Sequence, residues 1–127
     1  MRTYVVDTHA LVWFIGRDQR LSDTARAILR NPNVRIIIPV IVLAEIKYLS
    51  HKGRFAQTLG EVLRVINLDS RCTIYPVDLS VVNKAPIDLD IHDSLIVGTA
   101  LVQPEIVTGV LTRDGVIVSS GLVPTVC

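Results

Sequence analysis

Residues 34–39 read VRIIIP, with three isoleucines in a row and no polar residue between them. A strand with one wet face alternates polar and apolar side chains, because successive residues point to opposite sides of the sheet. A continuous β-branched run suits a strand buried on both faces. The run IVTGV, within residues 105–111, has the same character. Strands of this kind belong to parallel sheets, whose crossover segments lay helices over both faces.

The intervening segments have the composition those helices need. Residues 22–31, SDTARAILRN, carry a Ser22 cap signal and place Ala25, Ile28 and Leu29 at helical spacing. Residues 40–53 predict a helix that stops at Gly53. Residues 54–67 predict another, with Phe55, Leu59, Val62, Leu63 and Ile66 on one face. Residues 79–85 suit a helical turn, and residues 92–103 a helix closed by Pro104. Strands are expected over residues 3–7, 34–39, 72–77 and 105–114, with a fifth in the tail, 121–127. The alternation predicts one α/β domain over residues 1–127, with a central, mostly parallel sheet between layers of helices. In such sheets, sites form at the carboxyl ends of the strands, beside the point where strand order reverses.

Composition narrows the function classes. Half of the residues are apolar, so disorder is not expected. The charge-free runs, residues 94–104 and 115–127, are too short for a membrane span, which takes about 20 residues. The first residues, MRTYVVDTH, lack the apolar stretch of a secretory signal, and a cytoplasmic protein is expected. A net charge of +1 argues against a strongly basic nucleic-acid binder but leaves room for a local basic patch. Cys72 and Cys127 match no metal or redox spacing and read as reduced thiols.

Four of the twelve acids are hard to place on a water-facing surface. Asp7 follows the first strand and Asp114 follows the fourth, so both belong at strand carboxyl ends. Each also suits a bland role, Asp7 as a helix cap and Asp114 in a turn. Glu45 has Ile41, Val42, Tyr48 and Leu49 at its helical neighbour positions, which sets it in an apolar stripe. A buried carboxylate there must be paired, protonated or bound to a cation. Asp93 opens a helix whose next-turn residues are Ile96 and Val97, and Asp90 stands one turn earlier. If the four converge, their repulsion calls for a cation, and hard oxygen donors suit Mg²⁺ or Mn²⁺ rather than Zn²⁺.

With these residues in view, the sequence resembles the PIN-domain nucleases, and more narrowly the VapC-type toxins of bacterial toxin–antitoxin pairs. VVDTHALVWF resembles the family's opening strand and first acid, PVIVLAEIKYL its second acidic motif, DIHDSLIVGTAL its third and LTRDGVI its fourth. The closing VPTV resembles its last strand. The resemblance implies a metal-dependent endoribonuclease that leaves a 5′-phosphate and a 3′-hydroxyl. Asp7, Asp93 and Asp114 would be the main metal ligands. Glu45 would bind metal or orient water, and Thr112 would be a helper. It implies a homodimer and a cognate antitoxin whose tail covers the active groove. The apolar segment HALVWF, with Trp13 and Phe14, fits a partner surface and an ordinary core equally well. The family often carries arginine or a small residue after its third acid; Ser94 stands there and leaves the ligand in place.

Candidate phosphate contacts for RNA are Arg17, Arg20, Lys47, Lys52 and Arg54, with Arg113, beside Asp114, read first as a surface arginine, otherwise as a phosphate contact or the partner of an acid. His9, His51 and His92 are not expected to serve as bases. Other classes fit less well. A receiver-type signalling domain needs an acid pair after its first strand and a lysine after its fifth; Asp7 stands alone and no lysine follows Lys84. A haloacid-dehalogenase phosphatase needs Asp-x-Asp, where this chain has Asp7, Thr8 and His9. A catalytically silent PIN fold that binds RNA or protein would have no reason to keep four like charges together.

Overall fold

A computed structural model describes all residues, 1–127. The elements run β1 (Arg2–Val6), α1 (Thr8–Ile15), α2 (Asp23–Arg30), β2 (Val34–Pro39), α3 (Val40–His51), α4 (Leu59–Asn67), β3 (Cys72–Tyr75), α5 (Leu79–Lys84), α6 (Ile91–Leu101), β4 (Val107–Leu111), α7 (Gly115–Ser120) and β5 (Thr125–Val126). The five strands form one sheet in the order β3-β2-β1-β4-β5, and every neighbouring pair is parallel. Receiver-type sheets run 2-1-3-4-5, so the topology separates this chain from that class.

The expected reason for the parallel sheet holds. Ile36, Ile37 and Ile38 of β2 are all buried, as are Val5 and Val6 on β1 and Val110 and Leu111 on β4. The two outer strands are short, and β3 is largely open to solvent. Strand order reverses between β1 and β4: from β1 the chain goes outward to β2 and β3, then returns to the other side of β1. A crevice at the carboxyl ends of β1 and β4 follows from that reversal.

Helix starts are set by short polar side chains. Ser22 accepts from the Ala25 amide, Thr58 from Glu61, Asp78 from Val81 and Asp90 from Asp93. The last of these corrects the expected boundary. Asp90 caps α6, and Asp93 is its third residue, one turn deeper. The helix expected from residue 54 begins only at Leu59, because Thr58 caps it there and Gly53, at φ +75°, ends the preceding segment. Tyr48 does not belong to a buried stripe around Glu45: it is 60% exposed, with the Lys52 ammonium 4.4 Å from its ring centre. Trp13 and half-buried Phe14 pack with the core.

The helix that carries Asp93 is tightly seated. A methyl group on Gly98 would lie 2.7 Å from the Val81 carbonyl oxygen, so α5 crosses α6 where only glycine fits. The Ser94 hydroxyl donates to the Pro86 carbonyl and pins the connecting loop to α6. The residue after the third acid is therefore turned to the scaffold. Burial pushes the Cys72 thiol up to about 11, and neither Cys72 nor the exposed Cys127 is in a disulfide. No helix is long and apolar enough to cross a membrane.

Candidate metal centre

The crevice predicted by the strand reversal is a cleft of about 340 Å³. Asp7, Glu45, Asp93 and Asp114 all line it. Residues 7 and 114 arrive from the ends of adjacent strands, and the Asp7 amide donates to the Leu111 carbonyl at 3.0 Å, continuing the β1–β4 ladder. Glu45 comes from the middle of α3, and Asp93 from the first turn of α6.

Bland and chemical roles coexist in these acids. Asp7 is the N-cap of α1, and its Oδ1 accepts from the Thr8 amide at 2.6 Å. Its Oδ2 accepts from the Thr112 hydroxyl at 2.6 Å. Asp114 caps α7 through Oδ1, which takes the Val116 and Ile117 amides. Each carboxylate oxygen has two lone pairs, so capping leaves acceptor capacity turned to the cleft. Asp7 is 8% exposed and Asp93 6%, which is deep for ionisable groups.

Thr112 ties the two strand ends together. Its hydroxyl donates to Asp7 and accepts from the Asp114 amide at 2.9 Å. The expected helper is thus a positioning residue that orients one acid directly and the other through its backbone. Thr112→Val keeps the shape but orphans the Asp114 amide and one oxygen of Asp7. We expect it to lower stability by about 1–3 kcal/mol. Metal affinity should fall by roughly 10- to 100-fold, as for other residues that orient ligands. Thermal unfolding and Mn²⁺ binding check both. Unchanged affinity would show that Thr112 positions nothing.

The electrostatics reflect convergence. Burial holds the Asp7 carboxyl above the ordinary carboxylate range; the Thr112 and Thr8 hydrogen bonds pull it down, and the Glu45 and Asp114 charges push it up. Asp93 is pushed up to about 7, first by burial and then by Asp114, Asp90 and Asp7. The acids are thus close enough to oppose one another's ionisation. No three His, Cys, Asp or Glu side chains are drawn close enough together to hold a metal ion as they stand. The donor set is all carboxylate oxygen, with His9 and His92 also on the cleft wall. That chemistry fits a hard divalent cation.

The model of the PIN domain family matches residues 4–118. The chain belongs to the PIN domain family. Its fold is similar to that of VapBC2 from Rickettsia felis, solved bound to a DNA fragment from its promoter (TM-score 0.67, 17% identity, covering 98% of this chain and 97% of that one). It is also similar to VapBC-1 from nontypeable Haemophilus influenzae (TM-score 0.63, 15% identity, 98% and 96% covered). A domain of a functionally unknown protein from Methanocaldococcus jannaschii shares the fold at a TM-score of 0.58 and 20% identity, with 99% and 90% covered. No curated protein matches the sequence.

Within this PIN domain, the wall of the cleft holds residues that sequence reading passed over. His9 and His92, not expected to serve the chemistry, both line it, beside Trp13 and Arg113, which the sequence singles out for other reasons. Their nearness in sequence to Asp7, Asp93 and Asp114 was the available signal. Of the arginines and lysines proposed to meet phosphate, Arg20 approaches the site through the Trp13 ring, 5.1 Å away, while Lys52 is committed to Tyr48.

Proposed function

We propose that this PIN domain is a Mg²⁺- or Mn²⁺-dependent endoribonuclease of the VapC toxin type, neutralised by a cognate antitoxin. The observation that carries the reading is the meeting of Asp7, Glu45, Asp93 and Asp114 in one cleft at the strand-order reversal. Two of them, Asp7 and Asp93, are buried and the other two half-buried; like charges so placed are costly, and a fold keeps them together where a cation is to be held. The similarity to the two VapBC structures supports an antitoxin partner and a toxin role. A cytoplasmic homodimer completes the reading.

Asp7, Asp93 and Asp114 would hold the metal. Glu45 lines the cleft from α3 and would hold metal or accept a hydrogen bond from the attacking water. The bound ion would acidify water and offset charge on the phosphodiester oxygens. Thr112 keeps Asp7 and Asp114 in register. Burial of Asp7 and Asp93 excludes bulk water from the floor of the cleft and strengthens each charge interaction there.

A pool of cellular RNA should be cut into discrete fragments by the antitoxin-free protein in Mg²⁺ or Mn²⁺, and left whole in excess EDTA. Fragments should carry 5′-phosphates. Cleavage that survives EDTA would exclude the metal mechanism. Tight RNA binding with no cleavage in either metal would favour the catalytically silent reading.

A further inference from the structure

A cleft lined by four carboxylates repels a polyanion, so an RNA strand entering it needs a cation on the wall. Of the nine lining residues, Arg113 alone carries a permanent positive charge. Its guanidinium lies 5.6 Å from the centre of the Trp13 ring, and that of Arg20 lies 5.1 Å from the same ring. Arg113 Nη1 also donates to the Arg20 carbonyl oxygen at 2.9 Å, joining two loops 93 residues apart.

The two arginines are not equivalent. Asp18 answers Arg20 through a 2.7 Å ion pair. Arg113 takes part in none of the molecule's four ion pairs. Stacking on an aromatic face uses no hydrogen-bond donors, and guanidinium has five. Arg113 spends one on Arg20 and keeps the rest. Arg113 thus faces the acidic cleft without a carboxylate in ion-pair contact, and its free donors are available to a phosphate. Trp13 is 9% exposed, and its Nε1 is buried without a partner. Packing and the arginines therefore place the ring, rather than a hydrogen bond.

We propose that Arg113, shelved on Trp13 beside Arg20, binds a backbone phosphate of RNA next to the one that is cut, and so sets the register of the strand in the cleft. This rests on the nuclease reading above. Planar, bidentate phosphate recognition is the chemistry for which arginine differs from lysine.

The test uses an Asp7→Asn background, so that cleavage does not intrude, and a labelled single-stranded oligoribonucleotide lacking terminal phosphates, so that only diesters are offered. Affinity is measured by anisotropy against salt in Mg²⁺. Arg113→Gln should weaken binding about three- to tenfold and reduce the slope of log K against log salt by about 0.7, the value for one phosphate contact on a single strand. Arg113→Lys should restore the slope and only part of the affinity. Arg64→Gln, on an exposed position of α4, should change neither. Trp13 is the only tryptophan, so its fluorescence should respond in the same titration. Unchanged affinity and slope in Arg113→Gln, or no RNA binding at all, overturns the proposal. Cleavage of the same RNA by the unaltered protein is scored separately. Arginine-dependent binding, with the cellular RNA pool also left uncut, retires the nuclease reading and leaves Arg113 as a phosphate contact of an RNA-binding cleft. Intact cleavage with arginine-independent binding retires the phosphate site alone.

Discussion

Asp7→Asn is expected to abolish RNA cleavage while leaving the fold in place. The substitution removes one ligand charge from the floor of the cleft and almost no volume. Metal-borne charge stabilisation is worth several kcal/mol in a site of this kind. At about 1.4 kcal/mol per tenfold, a loss of about a thousandfold or more follows. The fold should survive for two reasons. Asparagine is as good an N-cap as aspartate, so the start of α1 keeps an acceptor for the Thr8 amide. Burial already disfavours the charged form of Asp7, so neutralising it relieves a cost as it weakens the bond from Thr112. Circular dichroism and a melting curve beside the cleavage assay check both halves. An unfolded variant would make Asp7 a structural cap alone.

Asp93→Asn should separate activity from stability more sharply. Asp93 is raised from 3.8 to about 7 in the folded chain, through burial and the neighbouring acids. A raised acid binds its proton more tightly when folded than when unfolded. Its folded-state cost is therefore absent below about pH 4, grows as pH rises between 3.8 and about 7, and is complete at pH 8. Asparagine is neutral throughout. In EDTA at pH 8 the variant should melt higher than the unaltered protein, by on the order of 1–2 kcal/mol. For a domain of this size that is several degrees. The two melting temperatures should converge toward pH 4. Cleavage should be lost at every pH. A variant that melts lower at pH 8 would show that Asp93 is held by favourable partners, and the repulsive cleft would be wrong. Active sites that trade stability for charge placement behave in this way.

Much of this was readable from residue order because parallel sheets put sites where chain direction and hydrophobic pattern meet. Asp7 ends one buried run and Asp114 closely follows another, so both positions follow from strand ends. The sequence also marks Asp93, since Ile96 and Val97 turn its helix face inward. Glu45 was found for a partly mistaken reason: Tyr48 is exposed, and it is Val42, Ile41 and Leu49 that turn this face of α3 inward. Two short elements resisted reading. The start of α4 is governed by Thr58, against the apolar pattern that extends back to Phe55. The six-residue α7 depends on Asp114 as its cap, and GVIVSS is equally strand-like on propensity. Arg20 and Arg113 were each readable as phosphate contacts, but their meeting on Trp13 was not. It brings together loops that only the folded sheet places side by side, and local pattern carries no trace of such a meeting.

The central claim is that four carboxylates form one cation site, and Mn²⁺ binding tests it without any assumption about RNA. Free Mn²⁺ is followed by its electron paramagnetic resonance signal as protein is added at neutral pH. The account predicts saturable uptake that Mg²⁺ competes away. It predicts proton release on binding, because Asp93 is partly protonated near pH 7. Affinity should fall by at least about tenfold in Asp114→Asn and in Glu45→Gln. Well-folded protein that takes up no Mn²⁺ would contradict the account.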